Sequence, residues 1–191
     1  EGARGQSVSF TFSVTSSDGK TASYKMGPYT ISKMSIKRNL AVSNGVNAYI
    51  SIEDMAVYNA AAAAAAPGKI DLVYLFRAAP TTFTHALVSP AADAAYLPGV
   101  TLPAGLNRST KLRKVFNLQD RNLANLQFGI YVDDVDLINV DMVDMPNYAI
   151  GLRAEAGVWV ETADKKYRAY IFVNSINAAG TAVISMLRYT L

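Results

Sequence analysis

The sequence predicts an all-β fold, an antiparallel β-sandwich of immunoglobulin-like or jelly-roll-like type with one short alanine-rich helix, and three observations predict it. Candidate strands recur about ten residues apart with turn signals between them. Several alternate apolar with polar side chains, the period of a half-buried strand. One stretch, Lys69-Ile-Asp-Leu-Val-Tyr-Leu-Phe76, is apolar on both alternating sets, which places it at the centre of a sheet covered on both faces.

Taken in order, Ser7 to Thr15 alternates without an error: Val8, Phe10, Phe12 and Val14 share one face, and Ser7, Ser9, Thr11, Ser13 and Thr15 the other. The pair Asp18-Gly19 suits a tight turn into a shorter strand, Thr21 to Met26, so that a hairpin is the simplest reading. Gly27-Pro28 reads as a break before a strand from Tyr29 to Ile36, and Asn44-Gly45 as a turn before Val46 to Ile52. Asn59 caps a helix through the seven alanines Ala60 to Ala66, which Pro67-Gly68 stops ahead of the central strand.

The chain then reads as loop through Ala79-Pro80, Ser89-Pro90, Pro98-Gly99 and Pro103-Ala-Gly105, a place for binding or decoration. Lys111 to Phe116 and Phe128 to Val132 are further strands, with a polar helical turn around Leu118 to Leu126. Gly157 to Thr162 and Tyr167 to Val173 form a hairpin, and Thr181 to Leu191 closes the chain as a strand.

Composition narrows the function. Of 191 residues, 51% are hydrophobic and 17% charged, enough to bury a core and too ordered a pattern for global disorder. The absence of cysteine removes disulfides, thiolate metal sites and thiol catalysis. Eighteen Lys and Arg against fifteen Asp and Glu leave a net charge of +3, spread along the chain, so no nucleic-acid partner is expected. No run approaches the length of a transmembrane helix. The opening Glu1-Gly-Ala-Arg-Gly-Gln6 reads as the product of a processing site, and the expected location is extracellular or cell-surface.

Two resemblances bear on function. The segment Val57-Tyr58, Ala60 to Ala66 and Lys69 to Tyr74, followed by Thr84-His-Ala-Leu-Val-Ser-Pro-Ala-Ala-Asp93, resembles secreted surface β-sandwich proteins of Gram-negative bacteria whose function is mostly uncharacterised. So does the tail from Lys166 through Asn174-Ser-Ile-Asn-Ala-Ala-Gly180 to Ser185. This implies a fold and a cell-surface location, and it carries over no catalytic residue. The strictly alternating N-terminal strand is similar to those of pilus and extracellular fibre subunits that donate a strand to a neighbour. That resemblance implies a candidate donor strand at 1–15 ahead of a β-sandwich domain at 16–191, with Val8, Phe10, Phe12 and Val14 at the subunit interface.

His85 is the single histidine and accompanies no nucleophile motif, so a structural imidazole is expected. Asp133, Asp134, Asp136, Asp141 and Asp144 offer hard oxygen ligands of the kind calcium takes. Their spacing matches no EF-hand loop, so a solvated strand edge or loop is the expectation and no metal or cofactor is. Arg108, Lys111, Arg113 and Lys114 form a basic cluster that suits a polyanion or, equally, a protected strand edge. Tyr96, Tyr148 and Trp159 are possible stacking platforms for sugar rings, with core packing the default. Asn107-Arg108-Ser109 is a glycosylation sequon.

The expected function is accordingly non-enzymatic: a structural subunit of an extracellular fibre or pilus-like filament, partnered by copies of itself through N-terminal strand exchange and open to glycans, covalent or bound. A monomeric surface β-sandwich that binds glycan or protein is the first alternative. A viral coat protein is the second.

Overall fold

A computed structural model describes residues 4–78, 83–116 and 132–191. The expected helical turn at 118–126 and most of the strand at 128–132 lie outside them. The chain divides into two units, Glu1–Met34 and Ser35–Leu191.

The smaller unit is a β-hairpin. Strand β1 (Ser7–Thr15) pairs antiparallel with β2 (Thr21–Thr30), from Thr15↔Thr21 at the turn to Ser7↔Thr30 at the open end. Gly19 takes a φ of 82°, as the tight turn requires. Gly27-Pro28 does not break the strand, which runs on to Thr30. The register instead shifts between Val8 and Phe10, where a Cβ on Gly27 would lie 2.9 Å from the Val8 carbonyl oxygen. Ser7–Thr15 is thus the first arm of a hairpin within the smaller unit, and β1 finds a hydrogen-bonding partner in its own chain.

Among the described residues the larger unit is a sandwich of two five-stranded antiparallel sheets. One runs in the order β3 (Met34–Ser43), β12 (Thr181–Thr190), β11 (Tyr167–Ile176), β10 (Gly157–Glu161) and β8 (Lys111–Val115). The other runs β5 (Ala56–Asn59), β4 (Asn47–Ser51), β6 (Leu72–Phe76), β7 (His85–Val88) and β9 (Tyr148–Ala149). The stretch expected to be central is β6, and it occupies the middle of the second sheet.

Alternation along β6 decides what faces what. Leu72 and Tyr74 point between the sheets, into a core with Ile50, Leu87, Val158, Val160, Ile171, Val173 and Ile184. Val73 and Leu75 point the other way and pack with Ala48, Ile70, Ala86 and Val88. That outer layer is closed by Ala63 of helix α1 (Ala60–Ala65) and by Tyr96, Leu97, Val100, Leu102 and Leu106. The long segment expected to be a decorated loop therefore contains β7 and then covers the sheet. Ile70 packs with the outer set because the tight turn at Pro67–Lys69 intervenes and the strand begins only at Leu72. Helix α1 is held as the sequence predicts, with Asn59 Oδ1 accepting from the Ala62 amide at 2.9 Å.

A charged tie joins the two sheets. Arg108 places Nε 2.9 Å from Asp71 Oδ1, beside β6, and Nη2 3.0 Å from Asp164 Oδ2, in the turn between β10 and β11. Asp71 Oδ2 also accepts from the Ile52 amide at 2.8 Å. Burial pushes the Asp71 carboxyl up to about 6, outweighing the pull of the Ile52 amide and Arg108. Partial burial acts the same way on Asp164, but the Thr162 hydroxyl, the Lys166 amide and Arg108 outweigh it and hold this group at about 2.

Two outcomes follow from this packing. A Cβ on Gly157 would clash with the ring and hydroxyl of the fully buried Tyr170, so Gly157→Ala should destabilise the fold by about 1–3 kcal/mol in a denaturant titration. Because the folded pKa of Asp71 stands above its ordinary value of 3.8, its contribution is full below about pH 4 and is lost as pH rises through 6. A shift of about two units corresponds to about 3 kcal/mol. Denaturant titrations should show this falling limb between pH 4 and 7 in the native protein and not in Asp71→Asn. Asp164 works in the opposite sense, its contribution being lost as pH drops from about 4 toward 2.

Candidate functional site

The hairpin register puts opposite residues on one face. Phe10 stands across from Met26, Phe12 from Tyr24, Val14 from Ala22 and Val8 from Tyr29. The other face pairs Thr11 with Lys25, Ser13 with Ser23 and Thr15 with Thr21, the last two through side-chain hydrogen bonds of 2.7 and 2.9 Å. One face of the ribbon is therefore hydroxyl-rich and the other is apolar.

The apolar face is exposed. Phe10, Phe12 and Val14 retain 53, 59 and 70% of their accessible surface, and Tyr24 and Tyr29 retain 70 and 47%. Within the face, Phe10 and Tyr29 lie with ring centroids 6.3 Å apart. Large apolar side chains gathered on one exposed ribbon mark an interaction surface. The sequence identifies the β1 half of it. Tyr24, Met26 and Tyr29 were missed as its other half, although the alternation Ala22, Tyr24, Met26 carries the same signal.

The remaining candidates resolve into structure. Asp133 caps helix α2 (Asp134–Asn139), its Oδ1 accepting from the Val135 and Asp136 amides at 2.8 and 3.2 Å. The Asp136 carboxylate returns a bond from the Asp133 amide, completing a capping box. Asp134 lies in the same first turn, where a carboxylate meets the positive end of the helix. No group of three or more acidic or histidine side chains among the described residues is placed to hold a metal. The expectation of a strand edge or loop here is corrected to a capped helix.

The basic cluster is a set of ties. Arg108 is held between Asp71 and Asp164, while Lys111, Arg113 and Lys114 of β8 donate to the carbonyls of Met142, Asp141 and Ile150. Trp159 is buried, with its ring 4.8 Å from Tyr170. Tyr96 and Tyr148 stack on each other at 3.6 Å between centroids. Asn107 is exposed.

His85 is 4% exposed, and its Nδ1 lies 2.7 Å from the Tyr74 hydroxyl. Burial lowers the imidazole pKa and pushes the Tyr74 hydroxyl up to about 12. The pair is a neutral hydrogen bond at one end of the sandwich core. The Phe76 ring packs 4.7 Å from the imidazole.

Comparison with known proteins divides the chain close to where the structure does. A family model described as "Domain of unknown function (DUF8576)" matches residues 32–191, and one described as "Domain of unknown function (DUF4466)" matches residues 1–31. Among solved structures, the crystal structure of a DUF4466 family protein from Parabacteroides merdae ATCC 43184 is similar at 41% identity with a TM-score of 0.82. The match covers 98% of this chain and 64% of that one, so this chain spans less than two thirds of its neighbour's length. Nothing among curated proteins matches.

The capping role of Asp133 is directly measurable. Asp133→Ala should lower the stability of the fold by about 1 kcal/mol in thermal or chemical denaturation, the usual value of an N-cap. Asp134→Ala, which removes no capping bond, should stay within about 0.5 kcal/mol of the native protein.

Proposed function

We propose that this chain, which belongs to the DUF8576 family, is a non-enzymatic structural subunit of an extracellular or cell-surface assembly and joins other copies of itself through the apolar face of its N-terminal hairpin. The observation that carries this reading is the exposure of Phe10, Phe12, Val14, Tyr24 and Tyr29 on one side of a ribbon whose other side is polar. A two-stranded hairpin is at best marginally stable in water, so such a ribbon gains most from a surface to lie on.

The energetics favour docking of the whole hairpin over release of β1 alone. Releasing β1 as a donor strand would break its ladder to β2 and order it anew at about 1–2 kcal/mol per residue of backbone. Docking the ribbon intact keeps the ladder. Burying four large side chains at about 1.5–3 kcal/mol each then contributes about 6–12 kcal/mol gross, before the cost of association. The strand exchange expected from the sequence becomes, in this reading, the docking of a preformed hairpin. A contact of this kind that joins unlike surfaces head to tail extends into a fibre. Asn107, exposed in the segment that covers the second sheet, is the position open to a glycan.

Sedimentation and negative-stain microscopy of the full chain test the proposal. The native protein should associate with rising concentration, and Phe10→Asp with Phe12→Asp should remain a monomer whose stability lies within about 0.5 kcal/mol of the native value. A native protein that stays monomeric at every concentration, or a double variant that associates unchanged, contradicts it.

A further inference from the structure

At one end of the sandwich the two sheets part around a cleft of about 540 Å³, a volume in the range of small-molecule sites. Its bed is apolar, formed by Phe76, Leu152 and Ile176, and its inner wall is His85. The imidazole is fixed there by the Tyr74 hydroxyl on Nδ1 and by the Phe76 ring against its face. Phe76 is in turn held by the turn before β12: a Cβ on Gly180 would lie 2.8 Å from the Phe76 ring, and Gly180 has a φ of 77°. The cleft is therefore shaped by a buried hydrogen bond and a close backbone approach.

Charge at the mouth is of one sign. Among the described lining residues Arg153 carries the formal charge, and no carboxylate faces it across the cleft. Asn177, also at the mouth, is occupied within its own turn, accepting from the Ala179 and Thr181 amides at 3.0 and 3.1 Å.

We infer that this cleft binds a small amphipathic anion, its aromatic or alkyl body laid on Phe76, Leu152 and Ile176 and its carboxylate or sulfonate set against Arg153. An apolar bed with one cation at the rim and one buried polar group at the end is complementary to a molecule that is greasy along its length and charged at one tip. The residues that line the site all belong to the larger unit, and the inference does not rest on the assembly reading.

Two fluorescent probes test this in the full chain: 8-anilinonaphthalene-1-sulfonate, and N-phenyl-1-naphthylamine, which has the same rings without the sulfonate. The native protein should bind the sulfonate at one saturable site, about fivefold more tightly than the uncharged probe, and Arg153→Ala should erase that preference. Ala178→Trp, an exposed turn position on the cleft wall, should abolish binding of both probes, whereas Phe10→Asp with Phe12→Asp should leave both unchanged. Equal affinity of the native protein for the two probes overturns the inference. So does binding that survives Ala178→Trp or disappears with the hairpin variant.

Discussion

Burial of β6 on both of its faces is the constraint from which the larger unit follows. An alternating strand with Leu72 and Tyr74 on one side and Val73 and Leu75 on the other needs two apolar layers. The opposing sheet is one. The second is assembled from α1 and the segment between β7 and β8, which is why so long a stretch without strand or long helix is ordered in the fold. The Asp71–Arg108–Asp164 tie holds that arrangement at its edge. Arg108 belongs to the covering segment, Asp71 to the approach to β6 and Asp164 to the opposing sheet's turn.

The hairpin obeys the opposite logic. Its β1 strand alternates as cleanly as any in the chain, yet its apolar side chains remain exposed. The two kinds of strand differ in burial: apolar residues in β6 and β11 lie in the core, and those of the β1 and β2 apolar face are exposed. The proposed subunit role rests on that difference. The cleft beside His85 adds a second surface with unlike chemistry, small and charged at its mouth where the exposed face of the hairpin is extended and apolar.

The sequence made the fold class and the central strand legible because both depend on local periodicity. The hairpin at Gly157–Val173 and the Asn59-capped helix were legible for the same reason, each having its turn or cap chemistry in adjacent residues. What was not legible depends on distant partners. β7 is four residues long and sits among prolines, so it reads as loop until β6 is beside it. β9 is two residues and exists through its pairing with β7. Helix α2 was hidden because its two acidic residues and its acidic cap suggested ligands, and only the capping bonds of Asp133 and Asp136 show them to be a helix start. Of the candidate interface, Val8, Phe10, Phe12 and Val14 alternate on one strand and Ala22, Tyr24 and Met26 on the next, whereas Tyr29, out of phase with them, joins the face only through the register shift between Val8 and Phe10. The basic cluster failed as a site because the carbonyls that occupy Lys111, Arg113 and Lys114 lie about thirty residues away in sequence and nothing local announces them.

Amide hydrogen exchange as a function of protein concentration measures most directly whether the hairpin gains its proposed partner from another copy of the chain. Amides of β1 and β2 should exchange rapidly in dilute solution and become protected as concentration rises, while those of β6 and β11 stay protected throughout. Hairpin amides whose protection is the same at every concentration would contradict it.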